Sequence, residues 1–431
     1  MNSSKAPDDI PDSLRYRSDL HHLGLHQKVS TAGRTYRLLA VLGLAVLSIP
    51  LYWGYLKFQE YQGKTQLVAA RQLLDELLFE PAGPAWNAKA NRVETLLKSV
   101  AASSNKPSAN ILLATLRGQP GFRPVVQDVL STNGVNCNSA DIAISALLLL
   151  RGGELSLADK LATLALKRGD EPARALRAAT IIDYQLGRDE GVVNHATAWS
   201  KIAPDEVLPW QYLAYVAEDR GFWSDAIIAL RKQIALMSGN SSPERRRLVT
   251  HLIKVGDVAE SRREFIILST SVPLEPKDSL SLLEAKLLFL EGNLAEAERI
   301  LLEARYSPAE RVDAIVLQST ILLDRSETDK AIPLLRECVK DAPANQDAHY
   351  LLGQALSRTG HLDEARSQME THRKLLDLKV RINSLERQAG HEPANVEVRQ
   401  TLSQLYNQIG LTEQAKLWQD AANTAQQSRS R

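Results

Sequence analysis

Residues 207–230 read VLPWQYLAYVAEDRGFWSDAIIAL. Trp210, Leu213, Ala214 and Ala217 recur every three or four positions, so they fall on one face of a helix. Gly221 can take a positive φ and stop that helix, and Ala226 and Leu230 then open the apolar stripe of a second one. A residue as small as Ala226 lets the second helix approach the first. The pattern returns at 346 as His349, Leu352, Gly353, Leu356, Gly360, Ala365 and Met369. Read outward from these two copies, the small position is filled by Ala158, Ala297 and Ala331, with Val192 and Ser261 as substitutes. Units then open at Ser139, Ala173, Val207, Ser242, Asp278, Val312 and Gln346, a period of 34 to 36 residues running to Arg373. Such a period specifies a helix-pair solenoid rather than a globular core.

The turn glycine is also present as Gly153, Gly187, Gly256 and Gly292, and Pro204, Pro273 and Pro343 close three units where a new helix must begin. A bulky residue, Leu followed by Gly or Ala, a turn glycine, Ala and a closing proline together resemble the tetratricopeptide repeat family. The match is best over Trp210 to Leu230 and Leu352 to Met369. The resemblance implies an all-α fold, a right-handed superhelical solenoid of antiparallel helix pairs. Asp183 stands where the family has an aromatic, Val192 and Ser261 where it has Ala, and Ser326 where it has Gly, so those units are expected to be less regular.

Outside the repeats, residues 1–37 read as a flexible N-terminal segment and 57–138 as a degenerate helical cap. Its helices are expected at Thr65–Leu78 and Ala88–Ala101, followed by a hairpin around Gly118 and Gly121. Residues 374–422 suggest an elongated helix ending at Gly390, then a repeat-like hairpin; 423–431 form a tail. Residues 38–56, LLAVLGLAVLSIPLYWGYL, hold no charge between Arg37 and Lys57. At about 1.5 Å per residue they nearly span a ~30 Å hydrocarbon layer, which predicts a single transmembrane helix, Leu38–Leu56, before the solenoid. A margin of one basic residue on its N-terminal side favours a non-cytosolic repeat domain, periplasmic in a bacterium.

Formal charge is +1, from 52 basic and 51 acidic residues, and the chain lacks the concentrated basic character of a nucleic-acid protein. Cys137 and Cys338 belong to units too far apart to bridge, and no C-x-x-C occurs. No H-E-x-x-H, Walker, dinucleotide or nucleophile-elbow motif is found, so neither an enzyme, a metal nor a cofactor is expected. His21, His22 and His26 read as a flexible flank; carboxylate groups such as Glu296 and Glu298 read as solvated helix faces.

A solenoid exposes a groove lined by first helices. In this register its candidate partner-binding residues are Arg174, Arg177, Tyr184, Tyr215, Arg246, Lys254, Lys286, Phe289, Tyr350 and Arg358. Aromatics beside cations suit a protein or peptide partner. A carboxylate clamp of the kind known in the family is weakened by Gln211, Tyr215 and Thr250, which replace the expected basic and Asn positions. The sequence therefore predicts a membrane-tethered interaction scaffold. The alternative is a structural subunit of a membrane-associated complex, packing through Leu375, Leu376, Leu378 and Ile382; a role in envelope-polymer assembly or export is what the resemblance to membrane-tethered members of the family implies.

Overall fold

The computed structural model describes the backbone of residues 26–100, 104–116, 118, 121–271, 280–392 and 395–429, and their side chains apart from 26–51, 308–309, 391 and 427–429. Among the described residues the chain is an all-α series of helix hairpins. The first two pairs are α1 (His26–Leu77) with α2 (Pro84–Ser99) and α3 (Lys106–Leu116) with α4 (Phe122–Ser131). Then come α5 (Ser139–Arg151) with α6 (Leu155–Arg168), α7 (Pro172–Gln185) with α8 (Asp189–Ile202), and α9 (Leu208–Asp219) with α10 (Trp223–Leu236). They are followed by α11 (Ser242–Val255) with α12 (Val258–Ser271), α13 (Ser281–Leu290) with α14 (Leu294–Glu303), and α15 (Pro308–Asp324) with α16 (Thr328–Asp341). The last are α17 (Gln346–Arg358) with α18 (Leu362–His391) and α19 (Val396–Gln408) with α20 (Thr412–Arg429).

Each hairpin is punctuated as its sequence dictates. Gly153, Gly187, Gly221, Gly256, Gly292, Gly360 and Gly410 all have φ between 65° and 83°. The next residue donates its amide back across the helix end, as from Arg188 to Asp183 O (2.8 Å) and Phe222 to Ala217 O (2.8 Å), which satisfies a terminal carbonyl. Helix starts are fixed by Asn138, Asn293, Asn345 and Asn395 side chains, and by a capping box between Ser307 and Glu310. Ala158, Val192, Ala226, Ser261, Ala297 and Ala331 are wholly inaccessible between paired helices. The substitutes Val192 and Ser261 thus fill the small position as alanine does.

Ser326 keeps the glycine conformation, with φ 63°, and Glu327 N still bonds Leu322 O at 2.8 Å. The departure therefore shows as strain at one residue rather than as an irregular turn. A non-glycine residue there costs roughly 1–2 kcal/mol, and Ser326→Gly should raise stability by about 0.5–1 kcal/mol once the greater freedom of glycine in the unfolded chain is subtracted. A shift of the urea midpoint to higher concentration is the expected result; a lower midpoint contradicts the strain argument.

The membrane-spanning helix expected at Leu38–Leu56 is corrected. Among the described residues no helix is long and apolar enough to cross a membrane. Side chains 38–51 of that run lie outside the described ones, as do His21, His22 and His26. The remainder, from Tyr52, continues without a break into the charged stretch Lys57, Glu60, Lys64, Arg71 and Asp75 of the same 52-residue helix. Its last turns are buried: Leu67, Ala70, Leu74 and Leu77 pack with Val93 and Leu97 of α2, Leu112 of α3, and Ile144 and Leu148 of α5. The run that reads in isolation as a separate span therefore belongs to a helix whose far end is part of the repeat core. The membrane tether, the single-pass localisation and the non-cytosolic placement of the repeats fall with it.

α18 does not stop at Gly390. It continues to His391 as a 30-residue helix, and glycine is required there for a different reason, a close approach. A Cβ at Gly390 would lie 1.9 Å from Leu186 O and 2.8 Å from Gly187 Cα, in the turn between α7 and α8. The apolar residues Leu378, Ile382 and Leu385 are covered by Leu402, Leu405, Tyr406 and Trp418 of the C-terminal hairpin. Only part of that face remains open, with Leu376 39% exposed.

Candidate functional site

Seven of the ten candidate contacts fall into three groups. Arg174 and Arg177 are turned towards α1. Arg174 donates to Asp75 Oδ2 (2.8 Å) and Glu171 Oε2 (3.0 Å), while Arg177 donates to Asp75 Oδ1 (3.3 Å) and lies 4.8 Å over Phe79. Beside them Arg71 of α1 donates through Nε and Nη2 to both oxygens of the fully buried Asp141 of α5, each at 2.7 Å. Burial pulls the Arg71 guanidinium down, but the hydrogen bond and charge of Asp141, with Glu171, outweigh it and hold the group above its ordinary value. Arg151 completes the junction by donating to Leu77 O at 3.1 Å. This network fastens α1 across α5 and α7.

The second group is an aromatic ledge on α7 and α9. Tyr184 lies 5.3 Å from Tyr212 and 5.8 Å from Tyr215, and Tyr212 meets Tyr215 edge-on. Burial, then the neighbouring tyrosines, push the Tyr212 hydroxyl up to about 12. Arg247 sits 4.8 Å over Tyr215 and donates to both oxygens of Glu218 (2.9 and 2.5 Å); His251 Nε2 lies 2.6 Å from Glu218 Oε1. Burial works to raise the Glu218 carboxyl, yet the bonds to His251 and Arg247 leave it below its ordinary value. Trp223 stacks on His251, and Lys254 rests 3.7 Å from the Trp223 ring centre.

The third group converges. Arg246 and Lys254 of α11 and Lys286 of α13 line one cleft of about 210 Å³, with Ile253 and Leu282 supplying apolar wall and one carboxylate, Glu310, lining it as well. Lys286 pairs with Asp313 at 2.8 Å. Desolvation, and then the charge of Lys286, depress the Lys254 ammonium. Cations with apolar surface between them form a receptor for an anionic group carrying an apolar neighbour.

The remaining three residues stand apart from the cleft. Phe289 is half-buried against the cluster of Ala285, Ala297 and Leu301, Tyr350 is 44% exposed beside His372, and Arg358 donates to Leu323 O (2.9 Å), closing the end of α15. Sequence reasoning missed Tyr212, Trp223, Arg247 and His251. The first-helix members, at 212, 247 and 251, were within reach of the helical period, whereas Trp223 sits just past a turn and joins the ledge only through tertiary packing. Both cysteines are free and buried, and burial pushes each thiol up to about 11. Among the described residues no group of three or more His, Cys, Asp or Glu could hold a metal ion.

Residues 322–375, the end of α15 through the first half of α18, match the tetratricopeptide repeat. No curated protein matches the sequence. Among solved structures, the Naa15/Naa10 complex bound to HypK-THB is similar at 13% identity and a TM-score of 0.40, over 75% of this chain and 63% of that one, so this chain spans under two thirds of its length. A tetratricopeptide repeat protein from Parabacteroides merdae is similar at 16% identity and a TM-score of 0.34, over 69% of this chain and 99% of that one. The APC/C hetero-tetramer Cut9–Hcn1 is similar at 11% identity and a TM-score of 0.39, over 72% and 60%. At these scores the likenesses say nothing of partner or activity. Together, the repeat match over residues 322–375 and the helix-pair architecture describe a tetratricopeptide-like, all-α solenoid of antiparallel helix pairs.

Proposed function

We propose that the chain is an interaction scaffold whose partner segment is an acidic peptide carrying an apolar side chain, seated in the cleft of α11, α13 and α15. The observation that carries this reading is the convergence of Arg246, Lys254 and Lys286 on one cleft with apolar walls. The tyrosine ledge of Tyr184, Tyr212 and Tyr215 extends the surface towards the N-terminal repeats. Lys254 is the principal contact: its ammonium is already partly desolvated and rests on an indole, so an incoming carboxylate meets a pre-positioned charge. Arg174 and Arg177 belong to the junction with α1 in this reading, and reversing their charge acts on the docking of α1.

A fluorescein-labelled Glu-Glu-Leu-Phe-Glu-Glu peptide tests the assignment by anisotropy on the full chain. Reversing Lys254 and Lys286 together to glutamate should weaken binding by at least roughly tenfold and flatten its salt dependence. Unchanged affinity with intact helicity rejects the cleft.

A further inference from the structure

The long helix α18 does more than end the series. The second helices of the preceding repeats, α6 to α16, run 10 to 14 residues, whereas α18 runs 30. Its overhang carries α19 through Ile382 and Ala389 and folds back across the superhelix until Gly390 meets Leu186 and Gly187. Just before that contact, Asn383, Glu386 and Arg387 share a cavity of about 620 Å³ with Asp219, Arg220 and Phe222 at the end of α9. α18 is therefore seated opposite the solenoid wall that bears the tyrosine ledge and the cationic cleft. Lys379 stands one helical turn before Asn383 and lines a neighbouring cavity with Asp347, Ile382 and Tyr406; its charge also reaches Lys254, after those of Lys286, Glu218 and Asp313. Among the described residues neither lysine forms an ion pair with a carboxylate. Like charges on the two walls repel, and an anionic segment between them turns that repulsion into attraction.

We propose that the binding site is two-walled: Lys254 and Lys286 on the solenoid form one side, Lys379 on the returning helix forms the other, and the acidic segment is held between them. This rests on the cleft reading above and assigns α18 a part that a spacer helix does not have. The contact at Gly390 sets the spacing of the walls, because it holds the C-terminal end of α18 against the backbone of the turn between α7 and α8.

The same labelled peptide, titrated against the full chain, distinguishes the two claims. Lys379→Glu should weaken binding roughly tenfold, Lys379→Arg should retain it, and Lys416→Glu, an exposed charge on α20, should leave it unchanged. Gly390→Ala should weaken it in the same direction, with little further loss when Lys379→Glu is added, since a displaced wall no longer presents its lysine. If Lys254→Glu abolishes binding while Lys379→Glu stays within about twofold of the native chain, with helicity preserved in both, the second wall is overturned and the cleft stands. If the native chain does not bind the peptide, both fail.

Discussion

Asp141→Ala is expected to cost about 3–5 kcal/mol of the stability of the N-terminal hairpins, the largest effect of any single substitution considered. Asp141 is fully buried and receives two guanidinium hydrogen bonds of 2.7 Å from Arg71, whose side chain is itself 13% exposed. Removing the carboxylate leaves a cation largely out of water, with Glu171 at 3.4 Å as its remaining ion-pair partner among the described residues. The magnitude reflects that orphaned charge, not the worth of the pair. The double replacement Arg71→Met with Asp141→Leu should accordingly recover most of the loss. Hydrogen exchange should show α1 and α2 losing protection while α13 to α17 keep theirs, because repeats pack against their neighbours. A loss below about 1 kcal/mol, or one spread evenly along the chain, contradicts the account of the junction.

Gly390→Ala decides between two opposed effects. Helix propensity favours the alanine by about 0.8–1.0 kcal/mol, since Gly390 is inside α18. Contact geometry opposes it: the new Cβ would fall 1.9 Å from a carbonyl oxygen and 2.7 Å from its carbon, and backbone cannot turn aside as a side chain can. Such overpacking costs about 1–3 kcal/mol, so net destabilisation is predicted. Exchange should rise at residues 186–188 and 383–391 together, with the pairing of α17 and α18 around Leu352, Leu356 and Ala365 retained. A more stable protein with unchanged exchange would mean that α18 does not dock on that turn.

The repeat architecture was readable because it is periodic and local. Gly187, Gly221, Gly256 and Gly360 occur at one offset and take one backbone conformation, and the small residues of the second helices are all buried. Groove residues were less legible. Periodicity gives the face of a helix, not what lies opposite it, so Arg174 and Arg177 looked available while α1 supplies Asp75 from 99 and 102 residues away. The same limit applies to Gly390, which reads locally as a helix break and is instead a point of contact with a turn some two hundred positions earlier. Residues 38–56 misled because hydropathy was judged over the run alone. The helix they belong to continues for another 21 residues and ends in the core. Arg246, Lys254 and Lys286 line one cleft because they project from adjacent first helices, a relation the repeat register does encode.

The central claim is that an acidic segment lies over α11 and α13. A benzophenone placed at the phenylalanine of the labelled peptide, photolysed on the full-length chain and mapped by peptide mass, reads its location directly. The account predicts adducts within Arg246–Lys254 and Leu282–Lys286, competed by unlabelled peptide and lost in the Lys254→Glu, Lys286→Glu protein. Adducts confined to the outer helices α10, α12 and α14, or adducts that persist unchanged in that variant, would contradict it.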